Sequence, residues 1–111
     1  MFEQVRDQGA VVPGPWHLEV AHVLLQAEKR GRITTADVTM RLDLIAELPI
    51  ATDNEATARA WHEILALART QGLTTYDATY LELSIRCGLP IVTRNETLIA
   101  AAERTGVPVA A

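Results

Sequence analysis

Short β-branched runs alternate with longer stretches of helical periodicity along the chain. Ala10-Val11-Val12 is a brief apolar run closed by Pro13-Gly14-Pro15, which predicts a strand followed by a break. Pro15 suits a first helical turn, where its missing N–H leaves no bond unmade. The helix that follows is expected to reach about Arg30, with Trp16, Val20, Val23, Leu24 and Ala27 on one stripe, and to stop at Gly31. Thr34 with Asp37 three residues later reads as an N-cap with an acidic first turn, opening a helix whose face is Val38, Leu42 and Ile45.

That helix ends before Pro49, and Ile50-Ala51 is a very short strand candidate. Asp53 or Asn54 is expected to cap a long helix to Gly72, with Ala60, Trp61, Ile64, Leu65 and Ala68 turned inward. Thr74 or Thr75 caps the next helix and Gly88 ends it. Leu89-Pro90-Ile91-Val92-Thr93 is the strongest strand pattern. A helix around Glu96–Thr105 ends at Gly106, and Val107-Pro108-Val109 reads as a final strand placed at a sheet edge by Pro108. Alternating strands and helices predict an α/β fold with parallel pairing and helices on both faces of the sheet. With no repeat, linker or low-complexity tract, the expectation is one domain over residues 1–111.

Composition adds limits. At 111 residues, 49% hydrophobic and 22% charged, the chain has a globular balance and enough length for a core without staples. The lone Cys87 excludes an internal disulfide and fits a reducing compartment, where it reads as a small buried hydrophobe. Ten basic against fourteen acidic side chains leave a net charge of -4, the wrong sign for binding nucleic acid by broad phosphate neutralisation. An acidic metal site is compatible with that sign. No apolar run is long enough to span a bilayer, and the charged N-terminus lacks a signal peptide's apolar stretch, so a cytoplasmic protein is expected.

In open α/β sheets ligands bind beyond the carboxyl ends of the strands. Glu19, about one helical turn after the first strand, Asp77 in a first helical turn, and Asn95 just after the Ile91–Thr93 run are therefore the residues to weigh, with Glu96 beside Asn95. Oxygen ligands meeting at one rim hold Mg²⁺ or Mn²⁺. Position alone also allows plainer roles: dipole complementation for Asp77, a solvated flank for Glu19, an N-cap for Asn95. His17, His22 and His62 share no ligand spacing, and no Gly-rich phosphate loop is present. Lys29, Arg30, Arg32 and Arg41 form the one basic cluster, suited to phosphates or to a helix C-terminus.

Two blocks carry a family likeness. Val11-Val12-Pro13-Gly14-Pro15-Trp16-His17-Leu18-Glu19-Val20-Ala21 resembles the second strand and following helix of PIN-domain proteins, especially the VapC-type toxins of toxin–antitoxin pairs. Leu73-Thr74-Thr75-Tyr76-Asp77-Ala78-Thr79-Tyr80-Leu81-Glu82-Leu83, followed by Gly88-Leu89-Pro90-Ile91-Val92-Thr93-Arg94-Asn95, resembles that family's most specific block and the strand carrying its last acidic position. The resemblance runs in order through essentially the whole chain.

It implies a three-layer α/β/α PIN-like fold and a metal-dependent endoribonuclease. Glu19, Asp77 and Asn95 would be its metal-site residues, with Thr93 as a further catalytic position and Mg²⁺ or Mn²⁺ as cofactor. RNA would be the substrate and an antitoxin protein the partner. Two departures shape the expectation. No apolar strand ending in Asp precedes Ala10, so the leading ligand and the central strand are expected to be missing, and Asn95 stands where the family has Asp. The expected consequences are weak or lost nuclease activity and, from unpaired strand edges, a homo-oligomer, a rearranged sheet or poor solubility. The alternative is a degenerate PIN-like module that binds an antitoxin, a partner subunit or RNA without cleaving.

Overall fold

A computed structural model describes residues 9–110, and the segment expected to follow an absent opening strand lies outside those residues. The fold is mixed α/β. Its elements are β1 (Ala10–Pro13), α1 (Trp16–Lys29), α2 (Thr35–Ala46), β2 (Ile50–Asp53), α3 (Ala56–Arg59), a π-helical turn (Ala60–Ile64), α4 (Leu65–Gln71), α5 (Thr75–Cys87), β3 (Ile91–Val92), α6 (Glu96–Arg104) and β4 (Val109–Ala110). The four strands form two separate two-stranded sheets, β1–β2 and β3–β4, where the sequence pattern predicts one. The chain divides into two compact units, residues 1–52 and 53–111.

In the first unit β1 pairs with β2. The Ala10 N–H donates to the Pro49 carbonyl at 3.1 Å just ahead of that pairing. The approach depends on Gly9, at φ +78°, since a Cβ there would lie 2.8 Å from the Pro49 oxygen. Val12, Pro13 and Leu24 are buried, while Val23, expected on the inward stripe, is 64% exposed because Leu24 takes the inward direction from that turn. No residue of α2 is buried, and Leu42 is exposed. Trp16, His17, Val20, Ile45 and Leu48 line an open groove of about 340 Å³ in this unit.

The start of α2 follows the sequence signal. Thr34 Oγ1 accepts from the Asp37 N–H at 3.1 Å while Asp37 Oδ2 accepts from the Thr34 N–H at 2.9 Å, a complete capping box. The Thr34 backbone and side-chain hydrogen bonds hold the Asp37 carboxyl below its ordinary range. Thr34→Ala is expected to destabilise the first unit by about 1 kcal/mol. A fall in the urea midpoint of the helical signal would register it, and an unchanged midpoint would mean that the box contributes nothing.

The second unit holds most of the buried core. Leu81, Ile91, Leu98, Ala101, Ala102 and Val107 form one cluster joining α5, β3 and α6, and Ile64, Ala68 and Ala78 form a second. β3 pairs parallel with β4 in the register Ile91↔Val109 and Val92↔Ala110, with the Ile91 N–H donating to the Pro108 carbonyl at 2.9 Å. Both strands are shorter than the sequence suggests. Pro90 and Pro108 lack the N–H needed to extend the ladder, and Val107 instead closes α6, its N–H donating to the Ala102 carbonyl at 2.8 Å. The last strand therefore begins at Val109 rather than Val107.

The long helix expected from Asp53 to Gly72 is interrupted. Its N-cap is Glu55, without a side-chain cap bond, so neither Asp53 nor Asn54 caps it. The wide π turn moves Trp61 off the Ile64–Ala68 line, leaving it 83% exposed instead of inward. Cys87 closes α5 as an exposed free thiol, contrary to the expectation of a buried one. The cause is Gly88, whose left-handed φ of 65° ends the helix before the chain turns back toward the core.

Candidate functional site

Two helix starts meet beside the end of β3. At the first, Thr74 Oγ1 accepts from the Asp77 N–H at 3.1 Å, capping α5 and placing Asp77, half-buried, in its first turn. At the second, Thr93 Oγ1 accepts from the Asn95 N–H at 3.1 Å and Asn95 Oδ1 accepts from the Leu98 N–H at 3.1 Å, capping α6. The packing of α5 on α6 through Leu81 and Leu98 then brings the two starts together. Asn95 Nδ2 donates to Asp77 Oδ2 at 3.4 Å, a long hydrogen bond across 18 residues of sequence. Three of the four sequence-predicted site residues, Asp77, Thr93 and Asn95, thus fall in one cluster. Tyr76 stands beside it, 70% exposed, and Glu96 is exposed in the first turn of α6.

Glu19 belongs to the first unit. It lies half-buried in the first turn of α1, its N–H donating to the Pro15 carbonyl at 3.0 Å. In the same unit the His17 ring stands edge-on to Trp16, with centroids 5.1 Å apart. His22 and His62 are exposed, as are Lys29, Arg30, Arg32 and Arg41.

The resemblance implies Mg²⁺ or Mn²⁺, and the cluster around Asp77 offers such an ion too few ligands to hold it tightly. Asp77 supplies the carboxylate of the contact with Asn95. The Asn95 oxygen faces the α6 amides, and its NH₂ group faces Asp77. Among the described residues no group of three or more His, Cys, Asp or Glu is disposed to hold a metal. No protein-family model matches the chain, and no curated protein is significantly similar to it.

Sequence reasoning missed a second polar cluster, on the opposite end of α5. Arg86 donates to Asp53 through both terminal nitrogens, Nη1 to Oδ1 at 3.0 Å and Nη2 to Oδ2 at 2.8 Å. Its Nε donates to Glu82 Oε1 at 2.8 Å, and Nη1 also donates to Glu55 Oε2 at 2.7 Å. Arg59 adds longer ion pairs to Glu82 at 3.6 Å and to Glu55 at 3.7 Å. The Arg86 hydrogen bonds hold the Asp53 carboxyl below its ordinary range, and the reciprocal bonds from Asp53 and Glu82 raise the guanidinium's. No buried side-chain nitrogen or oxygen among the described residues lacks a hydrogen-bond partner. The four-residue spacings Glu82–Arg86 on α5 and Glu55–Arg59 across the start of α3 were the available signals. They report each local pair but not their union. This cluster anchors the helix that carries Asp77.

Proposed function

We propose that this chain is a PIN-like domain of the VapC toxin ribonuclease type whose RNA hydrolysis is impaired. One observation carries the reading: Asp77, Thr93 and Asn95 meet at the start of α5 and α6 beside the carboxyl end of β3, where α/β proteins place ligands. The resemblance assigns RNA cleavage to those same residues. On this reading the layers are α/β/α, RNA is the substrate, Mg²⁺ or Mn²⁺ the weakly held cofactor, a cognate antitoxin and a second copy the protein partners, and the cytoplasm the compartment. The second reading is a PIN-like module that binds without cleaving, and the Asn95 NH₂ group turned toward Asp77 favours it.

The test is incubation of the full chain and of Asp77→Ala with end-labelled RNA in Mg²⁺ and in Mn²⁺, followed by cleavage and by filter retention. The expected result is slow cleavage that Asp77→Ala reduces to background. Retention of RNA without cleavage by either protein selects the binding module. Robust cleavage unaffected by Asp77→Ala would remove this site from the function, and neither cleavage nor retention would sink both readings.

A further inference from the structure

The orientation of one carboxamide decides what the Asp77 cluster accepts. An Asn side chain has an acceptor oxygen and a donor nitrogen, and the hydrogen bonds around it determine which points where. Asn95 Oδ1 accepts from the Leu98 N–H at 3.1 Å as the cap of α6, and the Asn95 backbone N–H is tied to Thr93 Oγ1 at 3.1 Å. Turning the amide over would set its NH₂ against the Leu98 N–H and lose the bond to Asp77 as well. Nδ2 is therefore the atom held 3.4 Å from the Asp77 carboxylate.

We infer that the Asn95 amide keeps the affinity of this cluster for divalent cations low, its NH₂ group standing 3.4 Å from Asp77 Oδ2 where a further ligand oxygen would be needed. The oxygen offers no alternative. It accepts from the Leu98 N–H in the first turn of α6, where the partial positive charge of the helix start repels a cation. Capping of α6 and coordination of a cation thus make opposite demands on the same residue. The choice of this cluster rests on the functional reading above; its behaviour toward cations rests on the hydrogen bonds alone.

The residue that should open the cluster is Asp. It caps helices as well as Asn does, so Asn95→Asp keeps the bond to Leu98 while replacing the donor with a second carboxylate beside Asp77. A further unit charge about 4 Å from a divalent ion is worth more than roughly tenfold in affinity even at the dielectric of water. Mn²⁺ alone is the probe, added to the full chain, with paramagnetic broadening of the Asp77 and Leu98 amide resonances as the readout. Wild type is expected to show none beyond that of other exposed carboxylates, and Asn95→Asp to bind at least about tenfold more tightly. Asn95→Ser keeps a capping oxygen without the NH₂ group and is expected to broaden Asp77 more than wild type does. If Asn95→Asp fails to fold, the serine variant alone decides between the two outcomes. Wild-type binding at Asp77 as tight as in Asn95→Asp, or no gain in any folded variant, overturns the inference. Because no RNA enters the measurement, failure here is distinct from failure of the functional reading.

Discussion

Arg86→Met is expected to destabilise the second unit by about 2–3 kcal/mol, below the cost of breaking a fully buried ion pair because the cluster is only partly buried. The guanidinium side chain is 17% exposed, and its partners Asp53 and Glu82 are 12% and 9% exposed. Met retains the aliphatic packing but leaves those carboxylates facing one another, with only the longer contacts from Arg59 to offset them. Glu55 contributes little to the difference, being 54% exposed and well solvated. Urea unfolding checks the magnitude, and a loss below about 1 kcal/mol would class the cluster with ordinary surface pairs.

The same cluster has a pH signature of defined sign. The Asp53 carboxyl is held below its ordinary range by Arg86, so its stabilising effect is complete above the unfolded value, about pH 4. That stabilisation fades as pH falls through the lower folded value. Wild type is therefore expected to lose stability through this acid window, and Arg86→Met to show a shallower slope there. Equal slopes in the two proteins would remove the Asp53–Arg86 bond as their source.

This cluster also marks the boundary of what the sequence makes legible. The caps at Thr34, Thr74 and Asn95 are readable because donor and acceptor lie within three residues. Arg86 reaches Asp53 across 33 residues, a pairing that the local pattern does not encode. The Asp53 cap expectation fails because Asp53 is the last residue of β2 and the helix begins beyond Glu55, leaving the carboxylate to Arg86. Trp61 is misplaced because periodicity assumes 3.6 residues per turn and the Ala60–Ile64 turn is wider. At the candidate site, the local readings of Asp77 as a first-turn acid and Asn95 as an N-cap are both realised. Their contact is not a local property. It arises from the packing between α5 and α6, and the direction of the Asn95 amide follows from which atom the cap consumes.

Leu81→Ala is expected to have a comparable effect on stability and a further effect on the site. Leu81 is fully buried among Ile91, Leu98, Ala101, Ala102 and Val107, where the small alanine and valine side chains leave little adjustable bulk to fill a void. The loss should be about 2–5 kcal/mol, toward the upper part where neighbours cannot collapse inward. Leu81→Met, which nearly conserves volume, should cost less than about 1.5 kcal/mol. One turn separates Leu81 from Asp77 on α5, and Leu98 lies one turn from Asn95 on α6, so this contact sets the spacing of the two helix starts. Loosening it should lengthen the Asn95–Asp77 hydrogen bond before the unit unfolds. In Leu81→Ala the Asn95 side-chain NH₂ resonances should move toward solvent-exposed values under native conditions, with those of Leu81→Met staying close to wild type. An alanine variant that loses stability but keeps those resonances unchanged would show that the cluster around Asp77 is held by its caps and not by the core beneath it.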